Sequence, residues 1–313
     1  MSSSAPLPAG KRAVHAGRGR LHLVMLLVTV CWASNIIAGK QALTGFSSLA
    51  LAQLRVLGTA VVFAICFFAT GSVRRLKWPI RKWPLIVAAA LTGVTLNQFF
   101  FIGGLARSTV AHTGLIVALG PVMVLAIAVL VRLEVLTTWK IAGMLVSFIG
   151  VGILTADKAT RGNGKLWAGD LILLAGAAVF AVYTILMKEV ADQYDALTLN
   201  TLMFVLGATL MVPFCARAVA GTPWAGLRLE AWWGLGFMIL GGSAAPYLLF
   251  TYALTGLTAS RVAAFNYLQP VIASSLGIWV LSEKLTSKVL VGGVLILAGV
   301  YLTERERGEE APT

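Results

Sequence analysis

The sequence predicts an all-α integral membrane protein whose ten transmembrane helices form two inverted five-helix repeats. Composition is the first indication, because 58% of the 313 residues are hydrophobic and only 12% are charged, whereas soluble domains carry about 25% charged residues. The second is that the apolar runs are continuous instead of alternating, which favours helices over a barrel. The third is an internal repeat at an offset of 149 residues, the separation of Pro121 and Pro270.

The register of this repeat is held by residue types that chance seldom aligns. The equivalent pairs late in each unit are Pro121 and Pro270, Glu134 and Glu283, Gly143 and Gly292, and Gly150 and Gly299. Each unit contains five apolar spans, so its end lies on the opposite side of the membrane from its beginning. The second unit is therefore expected to insert upside down, with a pseudo-two-fold axis in the membrane plane, as in many secondary transporters.

Ten apolar runs account for the predicted helices. A helix needs roughly 17 to 25 apolar residues to cross about 30 Å of hydrocarbon. The fifth and tenth runs are shorter, but they are repeat equivalents, and their interfacial ends include 137–140 and 285–288. The predicted spans are Leu21–Ala38, Leu49–Ala69, Leu85–Leu105, Val110–Val131, Ile141–Ala156, Leu171–Met187, Leu197–Ala216, Ala231–Leu254, Val262–Leu281 and Val289–Leu302.

These spans divide the chain into two repeats with short polar flanks. We expect a disordered basic cytoplasmic tail over 1–20, the first repeat over 21–156, an inter-repeat loop over 157–168, the second repeat over 169–303 and a cytoplasmic tail over 304–313. The net charge of +13 resides mostly in loops and tails, which argues against nucleic-acid binding. Under the positive-inside rule this charge distribution places both termini in the cytoplasm.

Two prolines mark the predicted transport site. Pro121 lies eleven residues after Val110, about 16 Å along its helix and close to the bilayer midplane, and Pro270 is its repeat equivalent. A proline inside a helix frees the carbonyl four residues earlier, here that of Val117 or Asn266. In lipid such a break must face protein or a watery cavity. The prolines therefore predict paired helix breaks with a gating role, the alternative being structural kinks without ligand contact.

Charged residues at span level indicate which solutes a cavity could accept. Arg55 either snorkels to the headgroups or faces the cavity and binds a carboxylate in bidentate fashion. His112 and Arg261 share a repeat position and could line the two entrances, although snorkelling is the alternative for Arg261. No Asp or Glu precedes Glu134, and none lies in the middle of a span. A neutral, zwitterionic or anionic solute is therefore favoured over a lipophilic cation.

Polar and aromatic residues at span level supply further candidates for the cavity wall. Each alone is also explained by helix packing or by an interfacial position, but several are related by the repeat and should converge on its axis. The substrate-binding candidates are Trp32, Asn35, Arg55, Gln98, His112, Tyr183, Tyr247, Asn266 and Gln269. Three cysteines fall inside apolar spans without ligand spacing, so no metal site or other cofactor is predicted.

Several of these residues form a recognisable pattern. The first span carries Trp32 and Asn35 and ends at Lys40, the second carries Arg55 early, and each half contains a proline, about a dozen apolar residues, a glutamate and then two glycines seven apart. This pattern resembles the EamA-type transporters of the drug/metabolite transporter superfamily, over residues 21–303. The resemblance implies a basket of ten helices around a central cavity that opens to one side at a time, with the last helix of each half at the periphery.

The sequence and the resemblance together predict a secondary transporter, which is not an enzyme, that moves a small metabolite by alternating access. The resemblance favours an exporter of amino acids or related solutes, whose partners are the small-molecule substrate and the lipid bilayer. A membrane-embedded lipid enzyme would need a metal or acid–base cluster, and the chain has only three histidines and no mid-span acid. A non-transporting scaffold or sensor is the other alternative.

Overall fold

The computed structural model describes residues 18–72, 82–108, 110–159, 167–191, 194–272 and 287–304. Within these ranges every regular element is helical. The predicted disordered tail falls almost wholly outside them, as do the end of the chain from 305 and most of the inter-repeat loop. Glu283, one of the repeat markers, also lies outside the described residues.

The described residues of the first half form seven α-helices and one π-helical segment, which make up the first five predicted spans. A π-helical segment, Ala90–Leu96, joins α3 to α4, so these two helices together form the third span. The fourth span is divided into α5 and α6. The helices are α1 Arg18–Ala42, α2 Ser48–Ala69, α3 Trp83–Ala89, α4 Asn97–Arg107, α5 Val110–Val117, α6 Gly120–Leu130 and α7 Thr138–Ala159.

The second half repeats this arrangement. A π-helical segment, Leu240–Ala244, joins α10 to α11, and the ninth span consists of α12, a 3-10 turn at Phe265–Tyr267 and a helical stretch over 268–272 where the described part of this span ends. The helices are α8 Trp167–Val190, α9 Ala196–Ala220, α10 Leu229–Ile239, α11 Ala245–Leu254, α12 Ala259–Ala264 and α13 Ser287–Glu304.

Six of the described helices are long and apolar enough to cross a membrane. They correspond to the first, second, third, sixth, seventh and eighth predicted spans, and run over Gly19–Ala42, Ser48–Ala69, Trp83–Arg107, Ala168–Val190, Ala196–Ala220 and Leu229–Leu254. Shorter apolar helices, Gly120–Leu130, Thr138–Gly150 and Leu290–Thr303, fall on the fourth, fifth and tenth predicted spans. The helices thus follow the predicted order along the chain.

Helix ends are satisfied by equivalent residues in the two halves. Lys40 donates to the carbonyl of Leu105 at 2.6 Å, at the end of the third span. Lys188 donates to the carbonyl of Leu254 at 2.7 Å, at the end of the eighth. The last carbonyls of a helix have no partner within the helix, so a lysine at this position removes the cost of leaving one unpaired near the membrane. The repeat has preserved this contact in both copies.

The two halves are interlocked instead of lying side by side. The second helix of one half, α2, packs on its equivalent α9. The first helix of each half packs on the third span of the other half, so α1 contacts α10 and α11, while α8 contacts α3, α4 and the π segment between them. The space enclosed by these crossings is therefore lined by both halves.

The last helices of the two halves, α7 and α13, pack closely on each other. Small residues permit this approach, since a Cβ atom on Gly143 would lie 2.6 Å from the carbonyl oxygen of Gly299, and one on Gly150 would lie 2.8 Å from that of Gly292. The two glycine pairs that the repeat aligned thus lie in this contact surface. Close packing of small residues is a usual source of helix association in membranes.

Candidate substrate-binding cavity

A cavity of about 100 Å³ lies where the two halves cross. Its wall is built from α1, α2, α4 and α8, from α11, and from the broken fourth and ninth spans. Seven of the nine predicted substrate-binding candidates line it, namely Trp32, Asn35, Arg55, Gln98, Tyr247, Asn266 and Gln269. Val117, whose carbonyl Pro121 was expected to free, also lines the cavity. The lining residues that the sequence did not indicate are Ile36, Asn97, Phe101, Gly120, Leu173, Gly176, Ala177 and Phe180.

Arg55 is buried in the cavity wall, with 2% of its surface exposed. Its Nε donates to the hydroxyl of Ser243 at 2.8 Å, and its Nη2 donates to the carbonyl of Gly242 at 2.9 Å. The side chain therefore does not snorkel to the headgroups in this structure. The protein itself occupies the edge formed by Nε and Nη2, so a bidentate contact with a solute carboxylate would have to use the edge formed by Nη1 and Nη2.

Three polar atoms around the cavity are buried without a hydrogen-bond partner among the described residues. They are one donor, Arg55 Nη1, and two amide oxygens, Asn35 Oδ1 and Gln98 Oε1. Buried polar atoms in proteins are nearly always paired, and an unpaired one costs about 1–3 kcal/mol. A cluster of such atoms in a cavity wall thus provides hydrogen-bonding capacity for a solute.

Aromatic rings form the apolar side of the cavity. Trp32 lies with its ring centroid 5.5 Å from that of Phe180 and 6.2 Å from that of Tyr247, in edge contacts. Tyr247 is fixed by its hydroxyl, which donates to the carbonyl of Gly93 at 3.0 Å, and Gln98 Nε2 lies 3.5 Å from the same hydroxyl. Edge-to-face aromatic pairs are favourable beyond their burial, so this wall is both apolar and held in place.

Tyr183, the eighth candidate, does not line the cavity. Its side chain is completely buried, and its ring stacks on that of Phe250 at 6.1 Å between centroids. It packs directly against Gly93, where any Cβ atom would overlap its ring. The side chain thus lies behind the wall, next to Tyr247. The ninth candidate, His112, belongs to α5, but its side chain is outside the described part of the structure.

Both predicted proline sites coincide with interrupted helices. In the fourth span α5 ends at Val117, and α6, which contains Pro121 near its start, begins at Gly120. In the ninth span the 3-10 turn at Phe265–Tyr267 comes just before Pro270. The prolines themselves are buried, whereas Val117 and Asn266, whose carbonyls they were expected to free, line the cavity.

The two π-helical segments are features that sequence reasoning missed. They occupy equivalent places in the repeat, and each presents a glycine carbonyl to a buried side chain of the other half: Gly93 to Tyr247 and Gly242 to Arg55. Single-turn π segments often occur at functional sites. The available signal was the pair Gly93 and Gly242 itself, which stands at the repeat offset inside two otherwise apolar runs.

The electrostatic character of the cavity is set by a single charge. Among the described residues that line it, Arg55 is the one with an ionised side chain, and none is a carboxylate. In a site shielded from water, an unopposed guanidinium attracts anions far more strongly than it would in bulk solvent. The arrangement can bind a carboxylate or another anionic group and disfavours cations.

Comparison with known proteins assigns the sequence to a family. The profile of the EamA-like transporter family matches the chain twice, over residues 20–156 and 167–305. An uncharacterized transporter of Archaeoglobus fulgidus is 29% identical over 287 residues, covering 91% of this chain and 97% of that protein. A protein of Streptantibioticus cattleyicolor named "Probable terminal-alkyne amino-acid exporter" is 27% identical, over 92% of this chain and 96% of its own.

A solved crystal structure supports the same fold. It superposes with a TM-score of 0.72 at 17% sequence identity, covering 91% of this chain and 96% of its own. At this identity the likeness concerns the fold alone. The two family matches confirm the family resemblance, and the superposition agrees with the predicted fold class.

Proposed function

The chain belongs to the EamA-like transporter family, and we propose that it exports a small zwitterionic or anionic metabolite, an amino acid or a close relative, by alternating access. The observation that carries the substrate class is Arg55, a buried guanidinium in the wall of a central cavity whose described lining holds no carboxylate. A charge-assisted hydrogen bond to a solute carboxylate would offset the cost of keeping this cation away from water.

The other unpaired atoms suit the second charge of an amino acid. The side-chain oxygens of Asn35 and Gln98 can each accept a hydrogen bond from an ammonium group, which has three donors and no acceptor. The rings of Trp32, Phe180 and Tyr247 offer an apolar surface for a side chain. The named amino-acid exporter of Streptantibioticus cattleyicolor, at 27% identity, supports the same class of solute.

The proposed orientation places both termini in the cytoplasm of a bacterial inner membrane. The positive-inside bias supports it. The contact of Glu134 with the backbone of Ser260 at 2.9 Å joins the loop after the fourth span to the start of the ninth, and it is the same for either orientation of the termini. Cysteine at Gly71 should be protected from an impermeant thiol reagent in intact cells, while cysteine at Gly162 should react. The opposite labelling would reverse the orientation.

The direct test of the proposed substrate class is counterflow with purified protein in proteoliposomes. Radiolabelled amino acids, organic acids and quaternary cations are compared under one counterflow condition, with protein-free liposomes as the control. We expect exchange of amino acids or other carboxylates and none of quaternary cations. Exchange of cations alone would contradict the assigned class, and the absence of any exchange would favour a scaffold or sensor.

A further inference from the structure

The hydrogen bonds of Arg55 determine which part of its guanidinium is available to a solute. Two bonds from α2 reach the second π segment: Nε to the hydroxyl of Ser243 at 2.8 Å, and Nη2 to the carbonyl of Gly242 at 2.9 Å. Nη1 is buried and has no partner among the described residues. A guanidinium is planar and rigid, so two bonds on one edge fix the direction of the opposite nitrogen.

Only one of these two anchors depends on a side chain. The carbonyl of Gly242 is part of the backbone, whereas the hydroxyl of Ser243 is removable by substitution. Ser243 is completely buried, so water cannot easily replace its oxygen as the acceptor for Nε. Its repeat equivalent is Val94, which has no hydroxyl, and the equivalent of Arg55 is Phe204. The serine and the arginine are thus both confined to one of two otherwise similar sites.

We propose that Ser243 is a positioning residue that confers carboxylate selectivity, by holding Arg55 so that Nη1 meets one solute carboxylate end-on. This inference rests on the proposed function, since it assumes that the solute occupies this cavity. Asn35 also packs against Gly242, because a Cβ atom on Gly242 would overlap its side-chain oxygen. The second π segment therefore contacts both residues that carry these unpaired atoms: Gly242 packs against Asn35, and the Ser243 hydroxyl accepts a hydrogen bond from Arg55.

Without the hydroxyl, Nε would be left buried and unpaired, and the guanidinium would rotate to recover an acceptor. Nη1 would then lose its fixed direction, so the solute carboxylate would be bound less well, while contacts to the rest of the solute would remain. The expected result is a selective loss for carboxylate solutes. A purely structural role for Ser243 would instead reduce the transport of all solutes equally.

The test compares leucine, which has one carboxylate, with leucinamide, which has none, as counterflow probes of the full-length protein in proteoliposomes. Ser243→Ala should lower the leucine-to-leucinamide ratio of kcat/KM by about tenfold, the effect of one lost charge-assisted hydrogen bond. Ser243→Thr keeps the hydroxyl and should retain the ratio. Thr95→Ala is the control. It removes a buried hydroxyl from the first π segment, Ala90–Leu96, without changing the contacts of Arg55, and it should leave the ratio unchanged.

Arg55→Ala separates the failure of this inference from that of the proposed function. If Arg55→Ala abolishes the preference for leucine and Ser243→Ala does not, the positioning role of Ser243 is wrong while the site assignment stands. If the wild-type protein shows no preference, or Arg55→Ala retains it, both proposals are contradicted. An equal loss of leucine and leucinamide exchange in Ser243→Ala, at unchanged protein content, would also overturn the inference. Ser243→Val, which introduces the residue found at the repeat-equivalent position, repeats the same test with a second variant.

Discussion

The two halves of the molecule share their backbone features and differ in their chemistry. Each has a π-helical segment in its third span, and in each the glycine of that segment lies against a side chain from the first helix of the other half: Gly242 against Asn35 and Gly93 against Tyr183. Each also ends its third span on a lysine hydrogen bond. These contacts are common to both halves, and they determine how the two halves interlock.

The side chains that contact the π segments have diverged. The carbonyl of Gly242 accepts from Arg55 of the first half, while that of Gly93 accepts from the hydroxyl of Tyr247 of the second. The repeat equivalents of these two donors are Phe204 and Gln98. The symmetric scaffold therefore carries a cavity whose chemistry is not symmetric, because the repeat duplicates neither the guanidinium of Arg55 nor the phenol of Tyr247.

The largest expected effect distinguishes Arg55 from its repeat equivalent. Arg55→Ala should reduce leucine exchange relative to leucinamide by about 10- to 100-fold, because hydrogen bonds to charged groups contribute about 1.5–3 kcal/mol. Phe204→Leu, a substitution at the equivalent position of the other half, should leave this ratio unaltered. Counterflow in proteoliposomes at equal protein content measures both. Equal changes in the two variants would mean that the halves do not differ in carboxylate recognition.

A second prediction compares the two π-segment glycines. Gly93→Ala should destabilise the protein by about 1–3 kcal/mol, the usual cost of overpacking, because the new methyl group meets the fully buried ring of Tyr183. Gly242→Ala meets the amide of Asn35, a smaller side chain that lines the cavity. It should therefore unfold at a higher temperature than Gly93→Ala while exchanging solute less well than wild type. Thermal unfolding of the detergent-solubilised proteins gives the order, and the reverse order would contradict this difference.

The smallest predicted effect concerns the two prolines. Pro121→Ala and Pro270→Ala each permit one additional helix hydrogen bond, about 1 kcal/mol, so each should shift the balance between the two open states by about fivefold. Because the halves are inverted, the shifts should be opposite. Reactivity of cysteines at Asn35 and Gln98 toward impermeant reagents added from each side measures them. Unchanged reactivity and wild-type transport in both variants would reduce the prolines to packing features.

Sequence reasoning reached the architecture because span length, an odd repeat and the loop charges are all local or periodic signals. It also reached Arg55 and most of the polar wall, since polar side chains are conspicuous in apolar runs. It missed Gly120, Gly176 and Ala177, because a small residue that allows space for a cavity is indistinguishable in sequence from one that allows helix packing.

Contacts between residues far apart in the chain were also not predicted from the sequence. Glu134 pairs with Lys140 of the following helix, α7, at 2.9 Å. It also accepts hydrogen bonds from the backbone and the hydroxyl of Ser260 at the start of α12, in the other half. The two residues are 126 positions apart, and no periodic pattern links them. The π segments were missed for a similar reason, since their geometry arises from contacts between the halves.

The most direct test of the central claim, that the asymmetric cavity binds a carboxylate solute through Arg55, is ligand protection of a cysteine in its wall. Ala177 lines the cavity, and Ala177→Cys would be introduced after replacement of Cys31, Cys66 and Cys215 by alanine. Leucine should slow the modification of this cysteine by a thiol reagent, leucinamide should do so about tenfold less effectively, and the difference should vanish when Arg55→Ala is added. Equal protection by leucine and leucinamide, or protection that persists unchanged without Arg55, would contradict the account.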